Sequence, residues 1–406
     1  MTDPVEKQAR RVLIVGAGVA GDCLAALLGR QGWSVTVVEL ADRLRSGGQN
    51  VDLRGPSAKV LTEMGLLETA MHRLVPQEGI AWVDRRGRAL GRMPVSALDG
   101  RGFVSTRELP RSDLAELLHE ACGPMVEHRF GETVVALTER QDAVRVGFRG
   151  GWSEDFDLVV GADGVHSRTR SLLFGLEEQF RRRLGLTHAW FTLTEKADTP
   201  PLDGWWQCHN ASGRRVVEAR PGHSGRQQVG FTVPDDQDEA APTDRDDRLA
   251  QLRQKCAGVG WRTAELLDAA ATASDLAFDT FDQIHLPQWH TERVVLLGDA
   301  AWCTSPLSGL GTALALTGAW VLADELRSTA TAGDGLSRAL SRWAGRMHPR
   351  VAAGQQLIPG RVAMYAPNTA LGIRSAIWFY RLAQTRPAAA LARRSDQQYG
   401  HDETLP

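Results

Sequence analysis

Cysteine is sparse, with five in 406 residues (Cys23, Cys122, Cys208, Cys256, Cys303) and neither a CxxC pair nor a Cys/His ligand spacing. That pattern argues against a metal centre. The odd, scattered count fits reduced thiols in a cytoplasmic protein better than a disulfide framework. Blocks of one charge sign are also missing. Lys plus Arg is 47, Asp plus Glu is 49 and the net charge is −2. Phosphate-backbone binding requires a basic face, so no nucleic acid partner is expected. The local run Arg181-Arg182-Arg183 reads as a solvated helix face. No secretory signal core precedes the short apolar run Val12-Leu13-Ile14-Val15. The longest apolar stretch, Leu307 to Ala323, holds three glycines and two threonines and ends in Asp324-Glu325, so it reads as a packed helix and not a membrane span. Hydrophobic residues at 43% and charged residues at 24% set aside disordered and fibrous classes. The length allows two or three packed units.

What is present begins at Arg11. A β-branched run to Val15 reads as a buried parallel strand, and Gly16-Ala17-Gly18-Val19-Ala20-Gly21 follows it directly into a helical pattern. In such a loop the first glycine permits the tight turn, the second lets backbone approach a pyrophosphate, and the third lets helix pack on strand. The helix start aims its amides at the phosphates. Ser34 to Val38 forms the next strand and Glu39 ends it, 18 residues past Gly21, where an acid can accept ribose hydroxyls. Strand, loop, helix, strand and acid in order mark a dinucleotide site. They do not choose between FAD and NAD.

Two later segments bear on that choice. Asp157 to Val160 is an apolar strand followed by Gly161-Ala162-Asp163-Gly164, and Arg293 to Leu297 is another followed by Gly298-Asp299-Ala300-Ala301. Pro306 and Gly309-Leu310-Gly311-Thr312-Ala313 then open a long apolar helix. A strand-end carboxylate can hold a ribityl hydroxyl, and helix-start amides can face an electron-rich ring edge. Together the three motifs resemble the class A FAD-dependent aromatic monooxygenases, the p-hydroxybenzoate hydroxylase-like flavoproteins, over about the first 330 residues. The resemblance implies an α/β fold: a Rossmann-like FAD-binding domain with an inserted antiparallel-sheet substrate domain and a C-terminal helical segment. It implies that Asp299 bonds the FAD ribityl and pyrophosphate region, that Gly309 to Ala313 line the flavin ring, and that Asp163 supports the cofactor near the nicotinamide donor. Finer details resemble the tetracycline-inactivating monooxygenases and polyketide hydroxylases. Gly47-Gly48-Gln49-Asn50-Val51-Asp52-Leu53 matches their segment beside the isoalloxazine, with Asp52 the matching acid and one extra residue in the loop. Arg111 matches an arginine reaching FAD from a helix start, and Arg43 or Arg45 a basic residue near the nicotinamide donor.

Between the second and third motifs, Ala189–Thr194, Gly204–His209, Arg215–Ala219 and Gln227–Val233 alternate or are aromatic-rich, which reads as an antiparallel sheet roofing a substrate pocket. Thr192, Thr194 and Arg215 fall near positions that contact substrate in the resembling subgroup. Trp205 and Trp206 must face opposite sides, so at most one lines the pocket. His209 is either a proton acceptor or a bystander, and Pro234 to Asp247 reads as a surface loop. Leu371 to Ala383 has helical spacing, resuming over Ala388 to Arg394. The expected division is 1–70, 101–182 and 277–345 for FAD, 71–100 and 183–276 for the substrate sheet, and 346–406 for bridging helices. The implied reaction is hydroxylation of an aromatic small molecule, of polyketide or antibiotic type, by O2 through a flavin hydroperoxide. The resemblance implies NADPH as a transiently docking electron donor, in keeping with the lack of a second GxGxxG, and NADH stays open. No side chain is assigned as catalytic, and a monomer or weak homodimer is expected. A reductase, oxidase or halogenase on the same fold is the alternative, although the WxWxIP halogenase signature is missing. A non-catalytic flavoprotein scaffold is a further one.

Overall fold

The structure is a computed structural model that describes residues 9–45, 47–97, 104–223, 225–235, 244–332 and 335–384. In chain order, β1 (Arg11–Val15), α1 (Val19–Arg30) and β2 (Ser34–Glu39) form the opening unit, followed by β3 (Asn50–Asp52), α2 (Pro56–Glu63) and α3 (Leu67–Met71). Next come β4 (Gly79–Val83), β5 (Ala89–Pro94), β6 (Glu108–Pro110), α4 (Arg111–Glu120) and β7 (Val126–Phe130). Strands β8 (Val134–Glu139), β9 (Val144–Phe148), β10 (Ser153–Phe156) and β11 (Leu158–Gly161) precede α5 (Arg168–Leu173). The central region holds β12 (Arg181–Thr194), β13 (Trp205–Ala211), β14 (Arg215–Pro221), β15 (Arg226–Pro234), α6 (Arg245–Lys255), α7 (Thr263–Thr272) and β16 (Ala277–Ile284). The chain continues through β17 (Val294–Leu296), α8 (Asp299–Trp302), α9 (Gly311–Ala332), α10 (Leu336–Gln355), α11 (Arg361–Tyr365) and α12 (Ala370–Ala383).

Five of these strands form a parallel sheet in the order β17-β11-β1-β2-β7. Side chains alternate across it, as strand geometry requires. Val12 and Ile14 enter a core shared with α1, α9 and α10, whereas Leu13 and Val15 pack against Val144, Val146 and Phe148 of the three-stranded sheet β10-β9-β8. Burial on both faces explains the near-continuous apolar strands. α9 carries the long apolar stretch, with Leu316, Ala319, Val321 and Leu322 in this core. Among the described residues no helix is long and apolar enough to cross a membrane.

A seven-stranded sheet, β16-β12-β15-β14-β13-β4-β5, stands over the C-terminal ends of the parallel strands. It differs from the expected antiparallel meander in one pairing: β4 runs parallel to β13, because it arrives from the segment before β6 and not by a hairpin. Arg181 to Arg183 lie on β12, not on a helix. Arg181 is held by Glu177 and Asp282, which neutralise it at the sheet edge. β16 pairs with β12, so Ala277–Ile284 forms an edge of this sheet. Within the expected loop Pro234–Asp247, Asp244 caps α6 by accepting from the amides of Asp246 and Asp247, and 236–243 lie outside the described residues. α6 and α7 cover one face of the sheet, through Leu249, Leu252, Leu266 and Leu267 against Phe191, Val217 and Phe231. α12 packs its Ala376, Ile377 and Tyr380 on β4, β5 and β13. The link between the two units is made earlier in the tail, where Val362, Tyr365 and Ala366 meet Leu186 and Val216 of the sheet and Leu307 beside α9. The second tail segment, Ala388 to Arg394, lies outside the described residues.

Trp343 of α10 is fully buried, donates its indole N–H to the Gly318 carbonyl at 3.0 Å and packs against Trp302 and Trp289. Trp343→Ala removes that filler and leaves the carbonyl without its partner, so chemical denaturation is expected to show a loss of about 3–5 kcal/mol.

Candidate active site

The phosphate end is made by backbone. Gly16 has φ +106°, and a Cβ there would stand 2.5 Å from the Ala162 carbonyl oxygen. A Cβ on Gly21 would stand 1.9 Å from the Gly16 oxygen, whereas one on Gly18 meets nothing within 4 Å. Gly16 and Gly21 thus serve close packing, and Gly18 keeps its face open to a ligand. The first amides of α1 lack intrahelical partners and point toward that face. Glu39 is docked on the loop, accepting from the amides of Ala17 and Ala41, each at 3.0 Å. Arg45, largely exposed, has its Nε 3.7 Å from Glu39, which puts it at the ribose end.

The opposite end gathers the other motif residues. Gly298 turns the chain at φ +66° after β17, and Asp299 opens α8 facing the start of α9, where a Cβ on Gly311 would lie 4.0 Å from its Oδ1. Burial raises the Asp299 carboxyl above its usual range, and the nearby Arg111 guanidinium counters it. Pro306 and Gly309 (φ +69°) shape the turn before α9. The first bond inside α9 runs from Leu314 N to Leu310 O, so the Gly311, Thr312 and Ala313 amides stand ahead of the ladder. Arg111 begins α4, donates its amide to the Gln49 carbonyl and packs within 3.3 Å of where a Gly48 side chain would sit. Asp52 is tied to Arg54 and to Ser105 Oγ on the β3–β6 ribbon. Asp163 is satisfied locally: it accepts from Ser167 Oγ, Thr169 N and Thr169 Oγ1, and thereby fixes the turn against Gly16 and the start of α5.

Above the Gly48-Gln49 loop the larger sheet presents a polar face, with His188, Trp190, Glu218, Arg220, Gln228 and Gly230 lining a small cavity of about 10 Å³. Gly230 makes their approach possible, since a Cβ there would lie 2.7 Å from Glu218 Oε1 and 2.8 Å from His188 Cε1. Hydrogen bonds run from Gln49 to His188 (2.7 Å), His188 to Thr232 (2.8 Å), Thr232 to the Tyr365 hydroxyl (3.0 Å) and Tyr365 to Glu218 (3.5 Å). Arg220 lies over the Trp206 ring at 4.3 Å and pairs with buried Glu108 at 2.5 Å. Burial lifts the Glu218 carboxyl to about 7, against the pull of Arg220, and burial lowers the His188 imidazole to about 4.

A family model for the FAD binding domain matches residues 9–354. The chain belongs to that FAD-binding family. It is 39% identical over 361 residues to an uncharacterized protein of Mycobacterium tuberculosis, covering 88% of this chain and 95% of the relative. It is 31% identical over 333 residues to an FAD-dependent monooxygenase of Sarocladium schorii, covering 80% and 77%. The crystal structure of tetracycline destructase Tet(51) matches with a TM-score of 0.78 at 26% identity over 98% of both chains. The fold is that of the p-hydroxybenzoate hydroxylase-like class, and the protein is an FAD-dependent monooxygenase. The backbone of this flavoprotein fits FAD on its own geometry, with an open glycine at one end and free helix-start amides beside Asp299 at the other.

The expected substrate residues divide. Thr192 and Thr194 share the face of His188 and Trp190, although the Thr192 amide is bound by Asp275 and Thr194 is exposed at the strand end. Arg215 points the other way: it shares the face of Val217 and donates to the carbonyls of Ser212, Lys255 and Ala257 beside α6. His209 spends both ring nitrogens on the Val83 and Val259 carbonyls and is a structural tie. Glu218, Arg220 and His188 were not anticipated. The signal for Glu218 and Arg220 was a pair of charges two apart inside the apolar run Val216-Val217-Glu218-Ala219-Arg220, and His188 had none.

The two titrating groups of this wall set opposite pH dependences. A carboxyl lifted from 4.5 to about 7 costs stability as pH rises between those values, whereas an imidazole lowered from 6.5 to about 4 costs stability as pH falls between them. Between those values the contributions of the two groups oppose each other. Glu218→Gln is expected to leave the His188 slope unopposed, gaining on wild type with rising pH by on the order of 3 kcal/mol across the whole carboxyl range. His188→Gln is expected to drift the other way. Denaturant unfolding at several pH values checks both signs.

Proposed function

We propose that the enzyme hydroxylates a polycyclic phenolic compound of polyketide or antibiotic type, with NADPH as the transient reductant and a monomer or weak homodimer as the working unit. The observation that carries this reading is the buried polar wall around Gly230, facing the Gly48-Gln49 loop and flanked by Trp190. A planar ring suits the Trp190 surface, and its hydroxyls meet an acceptor in Glu218 and a donor in Arg220. Similarity to a tetracycline destructase supports a fused-ring substrate.

FAD, when bound, supplies the electron transfer and oxygen chemistry. The Gly16–Gly21 loop and Glu39 would hold its phosphate and ribose end, Asp299 and Arg111 its middle, and the Gly311–Ala313 amides the ring edge, where they favour negative charge. Glu218, with its carboxyl near 7, is poised at neutral pH to take a phenolic proton. Tyr365, Thr232 and neutral His188 tie that carboxyl through hydrogen bonds to Gln49 on the cofactor loop and hold it in place. Losing the proton makes the ring electron-rich at the carbon that accepts oxygen, and the sheet excludes water from it.

Mixing the yellow protein with NADPH, isotopically labelled O2 and a panel of phenolic polycycles tests the reading. A fitting compound is expected to speed flavin reduction and to gain a labelled oxygen atom. If every compound leaves the reduction rate unchanged and none gains oxygen, the proposal fails. Gly230→Ala is expected to retain FAD yet lose the substrate-stimulated rate by at least about tenfold, since its methyl group occupies the space between Glu218 and His188.

A further inference from the structure

On the flank of the parallel sheet, away from the roof cavity, four side chains with metal-binding chemistry meet. Asp22 lies in the first turn of α1, His119 in the last turn of α4, Cys122 just beyond it and His128 in β7. His128 Nε2 is 2.9 Å from Asp22 Oδ1, and His119 Nδ1 is 3.4 Å from Asp22 Oδ2. Ligand atoms of Asp22, Cys122 and His128 all lie within 4.8 Å of one another. The Cys122 thiol reaches only backbone, the carbonyls of Leu118 at 3.5 Å and Asp22 at 3.7 Å.

Asp22 has no exposed surface, and its Oδ2 is buried without a hydrogen-bond partner. His119 Nδ1 is also buried without one, and the two orphaned atoms face each other. The two imidazoles meet edge to face, with ring centres 4.2 Å apart. A simple Asp22–His128 pair leaves a carboxylate oxygen and a ring nitrogen without hydrogen-bond partners in the interior, which is costly. One cation beside Asp22, Cys122 and His128 would give both a partner. We propose that Asp22, His119, Cys122 and His128 form a structural site for a zinc-class divalent ion. A thiolate, two imidazoles and a carboxylate suit that borderline-soft ion and disfavour magnesium or calcium. The thiol proton is released to solvent on binding. The ion would pin α1, α4 and β7 together one residue past Gly21, behind the phosphate-facing helix start. Sequence spacing hides the set because three separate elements supply it.

Tag-free holoenzyme from zinc-supplied cells provides the test. Stoichiometric zinc is expected by mass spectrometry. Replacement by cobalt is expected to give tetrahedral absorption to the red of the flavin band, with a thiolate charge-transfer band that Cys122→Ser abolishes. Chelation is expected to lower the melting temperature of the wild type, zinc to restore it, and Cys122→Ser to respond to neither. Absence of retained zinc together with a cobalt spectrum that is missing, or unchanged in Cys122→Ser, overturns the proposal. A melting temperature indifferent to chelator in zinc-loaded protein overturns the structural role.

Discussion

Gly21 crosses so close to the Gly16 carbonyl that no side chain fits at either position, and Gly16 in turn abuts the Ala162 carbonyl. A third close approach completes the crossing, since a Cβ on Gly298 would stand 3.0 Å from the Ala20 methyl. Three motifs far apart in sequence thus converge through missing side chains. The consequence is directional. β1, β11 and β17 end on one level, α1 begins there, and its amide dipoles are aimed before any ligand arrives. Preorganisation of this kind lowers the ordering cost of binding.

The larger sheet solves a different problem. Its strands must satisfy a dry helical layer on one side and a polar, cofactor-loop-facing surface on the other. Alternation does so: Ala189, Phe191, Val217 and Phe231 take the side of α6 and α7, while His188, Trp190, Glu218 and Arg220 take the cavity side. Burying that many polar groups is tolerable because nearly every one has a neighbour. Arg220 has both Glu108 and the Trp206 face, and His188 has Thr232 and Gln49. The wall is also asymmetric in charge, with a neutral imidazole and a carboxyl poised near neutrality, an arrangement that suits the proton exchange proposed above.

The cofactor half of the molecule was legible because its signals are local. Gly16-x-Gly18-x-x-Gly21 and the strand-end acids Glu39 and Asp299 each sit within one strand-turn-helix unit, where chain order dictates geometry. The roof was legible as strands but not as a surface. Which face a strand residue occupies depends on its register against two layers, and a one-residue slip reverses it. Arg215 illustrates the point: the resemblance put it near a substrate-contacting position, yet its odd-numbered position shares the face of Val217. The same parity gives Glu218 and Arg220 to the cavity. Arg181 to Arg183 misled for a related reason, because ion pairs with Glu177 and Asp282 exist only once distant strands are paired.

Two acids with almost the same local sequence show how context assigns a role. Asp163 and Asp299 both follow a parallel strand and a glycine. Asp163 is followed by Ser167 and Thr169, whose hydroxyls and amide consume both its oxygens, so its carboxylate is committed to folding the turn behind Gly16. Asp299 is followed by Ala300, Ala301 and Trp302, which offer it no hydroxyl. It is held by burial above its usual carboxyl range, in the field of Arg111 and beside the free amides of α9. A carboxylate in that position gains from a ligand hydroxyl, because a new donor offsets desolvation that Arg111 and the Cys303 thiol relieve only in part. The family pattern treats both acids as cofactor residues, whereas their hydrogen bonds separate one that builds the site from one that is left to be completed by it.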